Sequence, residues 1–146
     1  MSPMLELVAV LSATLFAGAA LYINLVEHPA RLSCGTELAL RQFAPSYRRA
    51  TVMQVFLALV ATGAGLAQWA RAGGSLWLSG SLAIASVIPF TLIVIFPTNR
   101  KLLEPGRDAA SPETRSLLDT WGRLHAVRSF LSLAASLLFA WAAVVG

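Results

Sequence analysis

The sequence predicts an all-α protein, a bundle of four transmembrane helices whose last helix extends out of the bilayer into the cytoplasm. Three observations predict it. Charged residues make up only 12% of the 146 residues and hydrophobic residues 57%, whereas a soluble domain carries roughly 25% charged residues. Four runs lack charge altogether: Leu7–Val26, Ala50–Ala70, Leu76–Phe96 and Ser129–Val145. Ten of the eleven Lys and Arg residues lie in or beside two of the connections between those runs.

The first three runs have the roughly 20 residues a helix needs to cross about 30 Å of hydrocarbon. The fourth is shorter, and Arg128 snorkels at its start so that Ala126 and Val127 join the span. The spans are therefore expected over about residues 5–27, 49–70, 76–97 and 126–145, in one integral membrane domain covering 1–146. Met1–Glu6 has an acid and no base, so the first run does not read as a cleaved leader. Thr36–Phe43 is expected to form a short interfacial helix that ends before Pro45. Pro89 falls inside the third span, and Pro97 is expected to close it. Ser111-Pro112-Glu113 has the order of a helix start, with a capping hydroxyl, Pro in the first turn and an acid beside it. The last helix should begin there. Small residues recur every fourth position, at Ala9, Ala13 and Ala17 and at Ser132, Ser136 and Ala140. They allow close helix approach within one bundle, or between copies in a homo-oligomer.

The formal charge of +4 is compatible with nucleic acid or with an anionic membrane face. The basic residues flank apolar runs and are not interleaved with aromatics in a soluble module, so the lipid bilayer is the expected partner and nucleic acid is not. Arg31, Arg41, Arg48 and Arg49 follow the first span, and Arg100, Lys101, Arg107, Arg115, Arg123 and Arg128 lie between the third and the fourth. Both groups fall on one face of a four-span topology. The positive-inside rule makes that face cytoplasmic and puts both termini outside the cell membrane (the inner membrane). Trp69, Trp77 and Trp141 read as belt residues at the outer interface. The lone Cys34 forms no internal disulfide.

Chemistry is expected at the cytoplasmic rim. At roughly 100° per residue, Leu117, Trp121, Leu124, His125 and Arg128 fall within about 100° of arc on the last helix. Arg115, Asp119 and Arg123 occupy another face, spaced as a solvated ladder of ion pairs. His125 and Arg128 therefore point into the bundle, where an unpaired Arg is costly. Glu27-His28-Pro29-Ala30-Arg31 repeats the His-x-x-Arg spacing at the end of the first span. Asn99, at the exit of the third span, and Tyr47 and Arg49, at the entry of the second, reach the same level. Gln54 and Gln68 read as interhelical glue. Two imidazoles from different helices also suit a haem iron, or with Glu27 the start of a metal site, although no C-x-x-C-H and no third ligand at ligand spacing accompanies them.

These residues also carry a family resemblance. Phe16-x-Gly18, the Glu27–Arg31 segment, Tyr47-Arg48-Arg49, Pro97-Thr98-Asn99 and the Trp121–Arg128 segment resemble a domain-of-unknown-function family of four-helix membrane proteins that includes the fungal anthrone oxygenases. The resemblance implies oxygenation of an activated aromatic carbon, converting an anthrone to an anthraquinone with no protein cofactor required. In that reading His125 or His28 removes the acidic proton, while Arg128, Arg31 and Asn99 stabilise the enolate oxygen. Trp121, with Tyr47, Arg49 and Glu27, holds a small apolar molecule that enters from the bilayer. Two other readings stand beside it: a haem- or ligand-binding membrane protein without enzymatic activity, and an accessory subunit of a membrane complex. The topology has its own test. A reporter active only in the cytoplasm, fused to Gly146, should be silent, and activity would reverse the assigned orientation.

Overall fold

The computed structural model describes residues 2–145, every one of the long elements being a helix. Met1 and Gly146, the ends whose side of the membrane the charge pattern predicts, lie outside the described residues. Four helices are long and apolar enough to cross a membrane: α1 (Pro3–Ser33), α2 (Thr36–Ala72), α3 (Ser75–Leu102) and α4 (Pro112–Val145). α1 packs beside α2 and α4, and α3 packs beside the same two, so the chain runs up and down around a square bundle. Outside this square, Leu25, Val52, Ile93, Phe130 and Val144 are all more than two-thirds exposed. Such a surface is stable against lipid and not against water.

The helices are longer than their apolar runs. α2 continues through Pro45 without a break, so the separate helix expected over Thr36–Phe43 does not exist. Proline removes only the bond to the Arg41 carbonyl, and Arg41 is exposed at the rim where solvent can take that bond. The first polar connection contracts to Cys34-Gly35, with Gly35 at φ 94°. Gly73 and Gly74, also at positive φ, turn the chain from α2 into α3. α4 starts as the sequence predicts: the Thr114 N–H donates to the Ser111 hydroxyl at 3.2 Å.

Pro97 does not close α3, because the helix first widens. The Phe96 N–H donates to the Thr91 carbonyl, five residues back, across a π-helical turn at Thr91–Ile95. α1 does the same one residue before its own proline: the His28 N–H reaches the Ile23 carbonyl across a π turn at Ile23–Glu27. One inserted residue thus precedes Pro29 and Pro97 alike, and both helices continue.

Apolar side chains form two clusters. One holds Phe16, Ile84, Trp77 and Phe139; the other holds Phe43, Ile95, Leu118 and Trp121. Trp77 is therefore not a belt residue: it is buried and stacks on Phe139 at 5.6 Å. Trp69 and Trp141 remain exposed. Ala9, Ala13, Ala17, Ser132 and Ser136 are buried within the single chain, and Thr14 bonds Ser136 at 2.7 Å. Gln68 donates to Glu6 at 2.8 Å and so ties α2 to α1.

Close approach around Phe139 depends on two glycines, Gly65 and Gly80, at each of which an added Cβ would lie under 3 Å from the ring. A Cβ at Gly80 would lie 2.7 Å from the Phe139 ring, while one at Gly63 meets nothing within 4 Å. Gly80→Ala should cost about 1–3 kcal/mol through overpacking, read as a lower unfolding midpoint in detergent. Gly63→Ala should show no such loss, and equal midpoints for the two variants would refute this account of the packing.

Candidate active site

Between the two apolar clusters lies a layer of buried polar side chains, and Trp121 is its floor. Its indole stacks on His125 at 4.8 Å, meets His28 at 5.1 Å and takes the edge of Phe43 at 5.1 Å. The Arg31 guanidinium lies 5.9 Å over the same ring. The two His-x-x-Arg segments thus converge from α1 and α4.

On α1, the His28 Nε2–H donates to the Leu118 carbonyl at 3.0 Å, leaving Nδ1 buried without a partner. The imidazole reaches that carbonyl because α4 carries glycine at 122. A Cβ there would lie 2.7 Å from His28 Nε2. Arg31 pairs with Glu27, one turn earlier. The Glu27 carboxylate also accepts from Gln42 at 2.9 Å and from Ser46 at 2.7 Å, so this cation is balanced in place.

On α4, His125 Nδ1 lies 2.6 Å from Asn24 Oδ1, which also accepts the Ser129 hydroxyl. The Asn24 amide donates to the Gly122 carbonyl at 2.9 Å, which fixes which way the amide faces. An oxygen in that position makes His125 Nδ1 the protonated nitrogen and leaves Nε2 with a free lone pair. Arg128 donates from Nη2 to Gln54 Oε1 at 2.7 Å and sits 5.6 Å over the Phe16 ring. It makes no ion pair among the described residues. Gln54 is therefore the partner of the buried Arg as well as a helix tie.

A cavity of about 20 Å³ lies against Arg31, Tyr47, Gln54, Trp121, His125 and Arg128. Tyr47, Thr51, Gln54 and Arg128 separate it from an apolar chamber of about 130 Å³ between α2 and α3, lined by Phe16, Val55, Ile88 and Leu92 among others. Val55 and Leu92 are exposed on the lipid side. Four expected site residues do not line the inner cavity: Glu27, His28, Arg49 and Asn99. Arg49 is exposed and lines an outer groove with Glu27 and Gln42. Asn99 does not line the inner cavity; its amide donates to the Tyr47 hydroxyl at 3.1 Å and so meets the cavity wall through Tyr47.

Each imidazole has one nitrogen committed to a protein carbonyl, and no three His, Cys, Asp or Glu side chains converge among the described residues. Sequence reasoning missed Asn24, Ser129 and Gly122. A signal for the first was present, since Asn24 is an amide within an otherwise apolar span and one turn before His28.

The family described as anthrone oxygenase matches residues 43–138, a stretch that includes Tyr47, Asn99, Trp121, His125 and Arg128. The anthrone oxygenase tpcL of Aspergillus fumigatus is 29% identical over 140 residues, covering 89% of this chain and 87% of the relative. No solved structure matches.

Gly122→Ala should push the His28 ring off α4 and break its bond to Leu118. Nitrogen chemical shifts of the His28 ring should then move, and unchanged shifts would show that the ring does not need the glycine.

Proposed function

The chain belongs to the anthrone oxygenase family, and on that premise we propose that it oxygenates a planar, apolar, phenolic molecule at the polar rim of the bundle. The excess of Lys and Arg around the rim supports a position on the cytoplasmic face of the inner membrane. One observation carries the reading. A histidine whose Nδ1–H is held by Asn24, with its other nitrogen uncommitted, lines a cavity that it shares with a buried Arg. That is a base beside a cation, the arrangement needed to make and hold a carbanion.

The substrate enters from the bilayer through the α2–α3 chamber, whose walls are apolar except near Tyr47, Gln54 and Arg128. His125 Nε2 takes a proton from a CH₂ conjugated with a carbonyl, and the electron pair spreads onto the carbonyl oxygen. Arg128, with Arg31 behind it, stabilises that oxygen, while Asn99 positions the Tyr47 hydroxyl. The carbanion adds to O₂, forming a C–O bond, and the imidazolium returns its proton to give a hydroperoxide. Loss of the second C–H proton with cleavage of the O–O bond leaves a C=O and releases water. One oxygen atom enters the product and the other leaves in water, so no outside reductant is needed.

His125 is favoured over His28 as the base, because His28 does not line the cavity and its Nε2 is bound to Leu118. With an anthrone as probe, His125→Ala should lower oxygen uptake by about 10²–10⁴-fold, and His28→Ala by much less. Full oxygen uptake in both variants would remove histidine as the base.

A further inference from the structure

The charge balance of the buried layer points to a ligand. Arg31 has Glu27 beside it, but Arg128 has only the neutral amide oxygen of Gln54 and the face of Phe16. The titratable side chains that share its cavity are Tyr47, His125 and Arg31. None of the three is a carboxylate, and no Asp or Glu lines the cavity. A cation left alone at this depth is costly unless something pairs with it. The hydrogen-bond count leans the same way. Arg31 Nε, Gln54 Nε2, Trp121 Nε1 and Arg128 Nε are buried donors without partners, and all four residues line the cavity of about 20 Å³. Such a space holds one species about the size of a water. Water would bring a donor of its own and leave the charge unmatched, whereas an anion answers both deficits.

We propose that this cavity is a binding site for a single small monovalent anion, halide-sized in the resting protein, held by Arg128 together with Gln54 and Trp121. The inference shares residues with the oxygenase reading, in which the anionic oxygen of the substrate takes the ion's place, but it rests on charge balance and needs no turnover. The test uses the full chain in lipid nanodiscs with chloride exchanged for gluconate. Bromide is titrated in, and its heavy-atom quenching of tryptophan fluorescence is followed. Trp69 and Trp141, exposed to lipid, give a background linear in bromide. The expected result is a saturable component on top of it, absent in Trp121→Phe and at least tenfold weaker in apparent affinity in Arg128→Gln. Purely linear quenching overturns the proposal, as does a saturable component unchanged in Arg128→Gln. Should Arg128→Gln fail to fold, bromide-soaked crystals of the unaltered chain decide the matter. An anomalous peak within hydrogen-bond reach of the Arg128 guanidinium supports the site, and its absence refutes it. Failure of the oxygenase reading would show separately, as bromide binding without oxygen uptake.

Discussion

A guanidinium enclosed by four lipid-facing helices sets the terms for everything near it. Arg128 lies inside the bundle, and each neighbour answers part of its demand: Gln54 accepts a hydrogen bond, Phe16 offers a π face, and the inner cavity leaves room beside it. Hydrocarbon supplies no partner for such a group. The polar layer is consequently a network in which α1, α2 and α4 all take part, with Asn24 joining His125, Ser129 and the Gly122 carbonyl at one amide. The apolar clusters on either side seal that layer and raise the strength of every interaction within it.

The same layer explains why the two histidines are not equivalent. Both rest on Trp121, yet each is turned by a different acceptor. A backbone carbonyl takes Nε2–H of His28, and a side-chain amide takes Nδ1–H of His125. The free nitrogen of His28 is sealed in protein, whereas the ring of His125 borders the cavity. The ring that borders the cavity thus stands on α4, and α1 holds it through Asn24.

Much of this was legible in the sequence. Uncharged runs of spanning length locate the four helices, Ser111-Pro112-Glu113 marks the start of α4, and the 100° step turns His125 and Arg128 inward. What stayed hidden depends on tertiary context. Pro45 and Pro97 read as stops, because the cost of a missing N–H depends on what else can take the carbonyl. A solvent-exposed rim does so around Pro45, and an inserted residue does so before Pro97. Trp77 looked interfacial because hydropathy cannot distinguish a ring facing lipid from one stacked on Phe139. Arg49 shares a level with the site but not its azimuth, and Gly122 matters only because His28 from another helix lies against it.

The paired π turns bear on how this chain compares with its relatives. Each adds one residue to a helix just ahead of an X-Pro step, and each sets the angular position of what comes two residues later, Arg31 on α1 and Asn99 on α3. Straightening either turn into α-helix would rotate that side chain about the axis by roughly 100°. A homologous chain without the proline should therefore align here only across a one-residue gap. Such a gap inside a membrane helix, ordinarily taken as an alignment error, would be the trace of a bulge gained or lost.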